Sequence, residues 1–422
     1  MRRQFSKAAS KLRLPLQRNV NRCWLVLAAL HRRLFRRVKL IGITGSCGKT
    51  TTTMLVSAVL SGLGPVRNGA NIRGTVNHKI LAKHIFAAGL IHGYCVVELS
   101  GHAQRTLHLA TRYLRFNIGI VTHIKPDHRA SYRSLEATAL EKSQMVAGLV
   151  KTGSAILNTD DELVWPMRSR TRARVIGCGR SEDASLRLKD ARATWPERLT
   201  LEIEHQDTPF IVQTRLLGEF ATIPVLTALA VGITEGMDLA EAVTAVEAVE
   251  PVAGRMAPHI TIDGVSIIDD SYKAPHYGVL SDLAYIREAK AKRKILVIGT
   301  MSDFSGSSSK RYRQVARQAL EVADVVLFVG RWAASASKNW DQYGAERLRG
   351  FETTAACNAY LNSILETGDL LLLKGSTRMD HLERIVLDHA APITCWRQRC
   401  KRRNRCNDCP DFGKTAASTL PS

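Results

Sequence analysis

A glycine-rich segment with one lysine and several threonines lies near the start of the chain, in LIGITGSCGKTTTTMLVSAVL (40–60). Glycines let backbone amides converge on a phosphate, Lys49 can reach the β- and γ-phosphates of a nucleotide, and Thr50 can offer its hydroxyl to Mg2+. The strict P-loop pattern needs glycine at position 43, where Ile43 stands, so the segment fits the shorter pattern T-G-[ST]-x-G-K-T-T. It predicts a phosphate-binding loop with nucleotide contacts from Gly45, Ser46, Gly48, Lys49, Thr50 and Thr51.

Further polar residues close or follow predicted strands. Glu98 closes YCVVELS, His128 follows NIGIVTHIKPD, and Asp270 ends SIIDD, while Lys142 lies on a predicted helix. Catalytic groups of α/β proteins gather at the carboxyl ends of the strands. Glu98 and His128, together with Thr50, could hold Mg2+ between a nucleotide and a second substrate. Each residue also has a structural explanation, since a glutamate can cap a helix, a histidine can complete a turn and a helical lysine can be solvated.

Four of the nine cysteines form a cluster in the basic C-terminal tail. Four thiolates within fifteen residues could close a tetrahedral zinc site, and the neighbouring cations favour deprotonation. An iron–sulfur cluster and a flexible tail with free thiols are the alternatives. No secretory signal is apparent, so the cysteine content favours a reducing, cytoplasmic compartment. The clustered cysteines are Cys395, Cys400, Cys406 and Cys409.

Short apolar runs alternate with helical patterns along the chain, which predicts an α/β fold with parallel sheets covered by helices. The 422 residues exceed what one core usually supports. We expect a P-loop-containing central domain with a parallel sheet over 39–253, then a smaller doubly wound, Rossmann-like domain over 254–391. A basic segment (1–38) precedes them and a basic, cysteine-rich tail (392–422) follows. The predicted strands are KLIGIT, YCVVELS, FNIGIVTHI, GSAILN, RKILVIGT, DVVLFVG and DLLLLKGS, and a helix is predicted over 312–323.

The net charge of +22 is concentrated at the two ends, and residues 1–39 hold twelve Lys or Arg and no acid. Such clusters attract polyanions without specifying which. The segment CWLVLAAL (23–30) is too short to span a bilayer but could lie in an anionic membrane interface, which would place the protein at the inner membrane face. A helix packed on the core and an organellar transit peptide are the alternatives. Nucleic acid is not expected as a partner, because the basic ends lack interleaved aromatic residues.

Taken together, the motifs resemble those of the Mur ligases, ATP-dependent enzymes that join an amino group to a carboxylate. The resemblance runs from about residue 39 to 387. The motifs that look most like the branch adding D-alanyl-D-alanine in peptidoglycan synthesis are IIDDSY, VIGTM and LLLKGS. The other motifs that carry the resemblance are TGSCGKTTT, VVELS, NIGIVTHIKPDHRASYRSLEATALEKSQ, LNTDD and GRM (254–256).

The resemblance implies roles for individual residues. Lys49 and Thr50 would bind the ATP phosphates and Mg2+, and Glu98 and His128 would hold metals. Lys142 would become carbamylated and so provide an anion for a second magnesium. The substrate carboxylate would attack the γ-phosphate, giving an acyl phosphate and ADP, and the amine would then attack that carbonyl. In the C-terminal domain, the implied ATP contacts are Arg255 and Asp270, and the residue near the reacting groups is Lys374.

Some positions depart from the family pattern. The family has G-x-H-N-x-x-N where this chain reads GEFATIP, so we expect altered recognition of the nucleotide base. Lys273 replaces the first asparagine of S-Y-N-A-N-P, and Tyr312 stands where the branch has a histidine. Only about forty residues precede the loop, which disfavours a separate uridine-diphosphate-binding domain and a soluble nucleotide-sugar substrate. The residues that replace the histidine and both asparagines are Phe220, Ala221 and Pro224.

These observations predict an ATP-dependent ligase that forms an amide bond between carboxylate and amine substrates. The favoured interpretation is a ligase that acts on a cell-wall-related or specialised peptide. That substrate would be attached to a lipid or would be strongly acidic. One alternative is a standard D-alanyl-D-alanine-adding peptidoglycan ligase with a shortened N-terminus. The other is a non-catalytic pseudo-ligase that binds ATP or a partner. Retention of Lys49, Glu98, His128 and Lys142 opposes a pure binding function.

Overall fold

The computed structural model describes residues 22–69, 78–101, 105–127, 131–132, 134–261, 263–338, 343–398, 400, 402 and 404–412. The chain forms two compact units, the first ending at Val249 and the second beginning at Glu250. This division lies four residues before the boundary expected from the sequence. Two earlier segments, 192–200 and 213–220, also belong to the second unit, because Trp195 and Leu217 are buried in its apolar core.

The first unit contains a nine-stranded sheet with the order β2-β3-β1-β4-β5-β6-β7-β8-β9. Its pairings from β2 through to β7 are parallel. The central strands are almost wholly buried, which explains why they read as continuous apolar runs. The strands are β1 (Lys39–Thr44), β2 (Val66–Gly69), β3 (Tyr94–Glu98), β4 (Ile118–Val121), β5 (Ser154–Asn158), β6 (Arg174–Gly179), β7 (Leu186–Arg192), β8 (Thr200–His205) and β9 (Thr208–Gln213).

Helices cover this sheet, and α7 is the most deeply buried of them. Every residue from Thr222 to Gly232 is buried, and α7 packs directly on α2, the helix that follows the glycine-rich loop. The loop is therefore held between β1 and a rigid helix pair. The described helices are α1 (22–34), α2 (Lys49–Ser61), α3 (His78–Phe86), α4 (Thr106–Leu114), α5 (Leu135–Lys142), α6 (Gln144–Ala147), α7 (Thr222–Thr234) and α8 (Leu239–Glu247).

The second unit contains a six-stranded sheet with the order β10-β11-β17-β13-β15-β16, in which only the β10–β11 pairing is antiparallel. A short parallel pair, β12–β14, lies beside it. The strands are β10 (Ala257–Ile260), β11 (Ser266–Asp270), β12 (Ala274–Pro275), β13 (Arg293–Ile298), β14 (Met301–Ser302), β15 (Val325–Val329), β16 (Leu348–Phe351) and β17 (Asp369–Lys374). The described helices are α9 (His276–Glu288), α10 (Ser308–Leu320), α11 (Ala333–Ala336), α12 (Thr354–Ile364) and α13 (Glu383–Ala390).

The predicted α/β fold with parallel sheets is confirmed, and all seven predicted strands are present. The helix predicted over 312–323 covers Ser308–Leu320 instead, because the Ser307 side chain accepts a hydrogen bond from the Lys310 amide and caps an earlier start. Strands β2, β6 to β10, β12, β14 and β16 were not predicted. Among the described helices, none combines the length and the apolar character needed to cross a membrane.

Candidate active site

The glycine-rich loop joins β1 to α2 in a conformation that only glycine adopts easily. Gly45 has φ 145° and Gly48 has φ 76°. A Cβ atom at Gly45 would lie 2.0 Å from Thr122 Oγ1, so a larger residue would displace the neighbouring strand end. No side chain caps the N-terminus of α2. Its first amides are therefore available to an anion such as a phosphate, as predicted.

Thr50 and Glu98 meet beside this loop, although they are 48 positions apart in the sequence. The Thr50 hydroxyl donates a 2.8 Å hydrogen bond to Glu98 Oε2, and both residues are buried. The parallel pairing of β1 with β3 produces this contact, because it aligns Ile43 with Glu98 at the carboxyl ends of the strands. A hydroxyl and a carboxylate at a phosphate loop are the hard oxygen donors that Mg2+ prefers.

Lys142 reaches the same loop from the last residue of α5. Its ammonium group donates to the Gly45 carbonyl oxygen at 2.9 Å and lies 3.9 Å from Asp127 Oδ2. Lys142 is only 1% exposed, so the structure contradicts the alternative of a lysine on a solvated helix face. Glu98 and Lys142 both border the loop, and their catalytic roles stay predictions. His128 lies outside the described residues, and its predicted role stays a prediction.

The loop is braced by the predicted residue Ser46 and by two residues that were not predicted, Thr122 and Lys125. Ser46 exchanges two 3.0 Å hydrogen bonds with the backbone of Lys125, and Thr122 Oγ1 donates to the Cys47 carbonyl at 2.6 Å. These contacts hold the loop against the segment after β4. The motif THIKPD contains that segment, so the motif could have indicated it.

His123 belongs to this brace, and its ring is held by two further polar residues. Asn158 lies 3.1 Å from its Nδ1 atom and Asp161 Oδ2 lies 3.8 Å from the same atom. Asp161 also accepts a hydrogen bond from the Ile124 amide at 2.9 Å. Burial lowers the pKa of His123 to about 4, against the opposing effect of Asp161. The imidazole is therefore neutral near pH 7, and Nδ1 can accept the Asn158 amide proton.

The second unit holds a buried cluster of one lysine and two aspartates at the carboxyl ends of β11 and β17. Lys374 donates to Asp270, its register partner across the sheet, and lies 2.8 Å from Asp282 on α9. Although burial opposes the charge of Lys374, the two carboxylates raise its pKa. Burial and the charge of Asp270 raise the pKa of Asp282 to about 7 despite the nearby ammonium. The predicted residues Lys374 and Asp270 thus contact each other, and Asp282 was missed.

Arg255 lies over the ring of Tyr272, with its guanidinium carbon 4.1 Å from the ring centroid. This stacking fixes the Arg255 side chain against the tyrosine of the DDSY motif. Asp269, the first residue of the same motif, accepts a 2.7 Å hydrogen bond from Arg405 of the tail. The predicted site residues therefore form two groups, one in each unit.

Two family models match the chain in sequence order. The Mur ligase middle domain matches residues 43–232, and the Mur ligase, glutamate ligase domain, matches residues 254–377. The chain belongs to the Mur ligase family. The expected family, its fold and an ATP-dependent acid–amino-acid ligase type of enzyme are thereby confirmed.

Relatives of this Mur ligase include UDP-N-acetylmuramoyl-tripeptide–D-alanyl-D-alanine ligases. The protein of that name from Mycobacterium leprae is 27% identical over 370 residues, covering 80% of this chain and 71% of the relative. The one from Escherichia coli is 24% identical and covers 69% and 65%. Among solved structures, MurF from Acinetobacter baumannii has a TM-score of 0.76 at 21% identity, covering 86% and 79%. MurF from Thermotoga maritima, in complex with ADP, has a TM-score of 0.71 at 18% identity, covering 87% and 83%.

The residues that depart from the family pattern make specific contacts in this Mur ligase. Pro224, in the first turn of α7, lies 3.1 Å from where a Cβ at Gly48 would be, so it packs on the phosphate loop. Phe220 is partly exposed and meets Tyr285 edge to face at 6.3 Å. Lys273 forms a 3.0 Å ion pair with Asp303. Tyr312 is buried, and its hydroxyl accepts the Met301 amide at 2.7 Å.

The tail cysteines differ from one another in their surroundings. Cys406 is buried, whereas Cys395, Cys400 and Cys409 are half-buried. In the part of the chain that the structure describes, no three of their sulfur atoms gather closely enough to form a metal site. The four-cysteine zinc site stays a prediction. Cys406 instead lies beside His381 and Glu383.

Proposed function

We propose that this Mur ligase joins the amine of a D-alanyl-D-alanine-type dipeptide to the carboxylate of a peptidoglycan precursor peptide, using ATP. The observation that carries the proposal is the convergence of Thr50, Glu98 and Lys142 on the phosphate loop. The names of the relatives support the substrate class. They favour the standard peptidoglycan ligase over the specialised peptide substrate that the sequence analysis preferred.

The residues of the first unit fit the triphosphate and Mg2+. The α2 amides and Lys49, whose Nζ atom lies 2.8 Å from the Gly45 carbonyl, would hold the β- and γ-phosphates. Thr50 and Glu98 would ligate Mg2+, with His128 in the role that the family resemblance implies. When bound, Mg2+ would neutralise charge that develops on the transferred phosphoryl group. The protein contributes fixed donors that need no rearrangement during the reaction.

Lys142 suits the carbamylated lysine that the resemblance implies. The Lys142 ammonium would first lose a proton, and the resulting amine would take up carbon dioxide and release a second proton, which converts a buried cation into an anion. The 2.9 Å contact with the Gly45 carbonyl sets the amine at the phosphate loop. Burial at 1% exposure would protect the carbamate from water.

The reaction would proceed in two displacement steps. The substrate carboxylate attacks the γ-phosphorus, the bond to the β-phosphate oxygen breaks, and ADP leaves. The dipeptide amine then attacks the acyl phosphate carbonyl, loses a proton and expels inorganic phosphate. The family resemblance implies ATP contacts for Arg255 and Asp270 and a position near the reacting groups for Lys374. The buried cluster with Asp270 and Asp282 keeps Lys374 protonated, as a donor to anionic oxygen requires.

The proposal is tested by incubating the full chain with ATP, Mg2+, UDP-N-acetylmuramoyl-tripeptide and D-alanyl-D-alanine. Mass spectrometry of the product and ADP release should both report ligation. Lys49→Ala should abolish both signals, and the exposed turn variant Lys151→Ala should leave them unchanged. ADP release only with other acids or amines would support the specialised substrate instead. Nucleotide binding without ADP release on any acid–amine pair would establish a pseudo-ligase.

The outer face of α1 supports contact with an anionic membrane surface. Leu25 and Ala28 are buried in the core of the first unit, which agrees with a helix packed on the core. The opposite face leaves Leu27, Leu30 and Leu34 exposed within the described residues, at 51%, 49% and 80%. Arginines flank these leucines, so the face combines apolar and cationic groups.

Lipid contact is tested by sedimentation with vesicles of phosphatidylglycerol and phosphatidylcholine. Leu30→Glu and Leu34→Glu should each weaken binding about tenfold, since burying one leucine contributes about 1.5 kcal/mol or more. The control is Ile211→Glu, at an equally exposed site on β9. Equal binding by all three variants and by the wild type would refute a role for α1.

A further inference from the structure

A histidine, a glutamate and a cysteine converge where the C-terminal tail packs against the start of α13. His381 Nδ1 lies 3.1 Å from Glu383 Oε1 and 3.7 Å from Cys406 Sγ. One potential ligand atom from each residue lies within 4.8 Å of the other two. The three residues are at most 3% exposed. This trio lies apart from the residues to which the proposed ligase function assigns a role.

We propose that His381, Glu383 and Cys406 bind Zn2+. Zinc bonds of about 2.0 Å to nitrogen and oxygen and about 2.3 Å to sulfur, at tetrahedral angles, separate the ligand atoms by about 3.3–3.6 Å. The observed separations of 3.1 and 3.7 Å are close to these values. One imidazole nitrogen, one carboxylate and one thiolate form a borderline donor set that suits zinc better than Mg2+.

An unpaired carboxylate oxygen supports a missing ligand at the trio. Glu383 Oε2 is buried and has no hydrogen-bond partner in the part of the chain described. Glu383 and Cys406 also share the same imidazole nitrogen, which can carry only one proton. That geometry does not suit a cysteine–histidine–glutamate catalytic relay, in which thiol and carboxylate use different ring nitrogens. A metal ion would accept a lone pair from all three groups.

Arg384 provides the outer support that such a site needs. Its Nε atom donates to Cys406 Sγ at 3.2 Å, and its Nη1 atom donates to the Arg397 carbonyl at 2.8 Å. Hydrogen bonds to a ligating thiolate orient it and disperse its charge. The thiolate and the carboxylate together neutralise Zn2+. The fourth position is left for water or a second tail thiol, and Cys395 and Cys400 lie close enough to interact with Arg384.

The role of the ion would be to anchor the tail to the second unit. Cys406 directly follows Arg405, which forms the buried ion pair with Asp269. Asp269 in turn adjoins Asp270 in the buried lysine cluster. Zinc at Cys406 would therefore hold Arg405 in place beside that cluster.

Metal content of the purified full chain tests the proposal. After exposure to ZnCl2 and dialysis against metal-free buffer, mass spectrometry should find about one zinc per chain. Cys406→Ser should lose nearly all of it. Cys357→Ser, a buried thiol elsewhere in the same unit, is the matched control and should retain it. Replacement by Co2+ should give a sulfur-to-cobalt charge-transfer band that Glu383→Gln preserves in weakened form and Cys406→Ser abolishes.

Other outcomes would overturn the proposal. Absence of zinc and cobalt from the folded wild type would exclude a metal site here. Zinc that survives His381→Asn but is lost from Cys395→Ser and Cys409→Ser would assign the ion to the four tail cysteines. If circular dichroism shows that Cys406→Ser does not fold, the zinc affinities of the His381→Asn and Glu383→Gln variants test the proposal instead. Each affinity should be at least tenfold weaker than that of the wild type.

Discussion

Replacing Asp282 by asparagine should remove most of the pH dependence that the lysine cluster gives to stability. The Asp282 carboxylate lies 2.8 Å from Lys374, and both share their buried site with Asp270. One ammonium group cannot neutralise two carboxylates, so the cluster holds a proton up to about neutral pH. Burial, reinforced by Asp270, raises the pKa of Asp282 from 3.8 to about 7. The asparagine resembles the protonated side chain at every pH.

The direction and size of the effect follow from this pKa. A carboxyl group with a raised pKa in the folded state contributes stability that is complete below its unfolded pKa of 3.8. That contribution is lost as the pH rises through about 7. Between pH 5 and pH 8 the loss amounts to about 3 kcal/mol of unfolding free energy for the second unit. Asp282→Asn should show little of it.

The measurement is urea unfolding of the full chain at pH 5, 6, 7 and 8, followed by hydrogen exchange of peptides from β11 and β17. Exchange rates are corrected for their intrinsic pH dependence. The control is Asp207→Asn, in the exposed turn between β8 and β9, which should follow the wild type. If Asp282→Asn loses as much stability between pH 5 and 8 as the wild type does, the cluster holds no titrating proton and the reasoning is wrong.

Three further substitutions probe other contacts. Glu98→Gln can keep the Thr50 hydrogen bond but removes the negative charge. The Mg2+ concentration for half-maximal ADP release should therefore rise at least tenfold. An unchanged Mg2+ requirement would exclude Glu98 as a ligand. Lys142→Ala should lose ligase turnover, and added acetate or propionate should restore part of it, whereas full turnover without rescue would contradict the carbamate. Tyr312→Phe should lower the free energy of unfolding, measured by urea denaturation, by about 1–2 kcal/mol, because the buried Met301 amide loses its 2.7 Å hydrogen-bond acceptor. Equal stability would show that another acceptor replaces the tyrosine hydroxyl.

The loop and the central strands could be predicted because their signals are local. Gly45 and Gly48 occupy backbone conformations that other residues rarely adopt, so their identity reports the turn directly. Strands buried on both faces, such as β5 and β17, read as apolar runs. The hairpin β8–β9 gave a weaker signal, since β9 is mostly exposed and its turn residues, Gln206 and Asp207, are not glycine.

The polar partners of the site could not be predicted from their spacing. Asn158 contacts the Thr122 backbone across 36 positions, and Asp282 on α9 meets Lys374 on β17. Such pairs depend on the order of strands in the sheet, which the sequence does not state locally. Cys406 shows the same limit, because its close neighbours His381 and Glu383 lie 25 and 23 positions earlier in the chain.

The ion pair between Asp269 and Arg405 has a consequence for synthesis of the chain. The two residues are 136 positions apart, and Arg405 lies near the C-terminal end. During translation, the strand that carries Asp269 leaves the ribosome long before the guanidinium that neutralises it. Until then a buried carboxylate would lack its counter-charge, which costs several kcal/mol. The second unit can therefore reach its final packing only after the chain has been synthesised beyond Arg405.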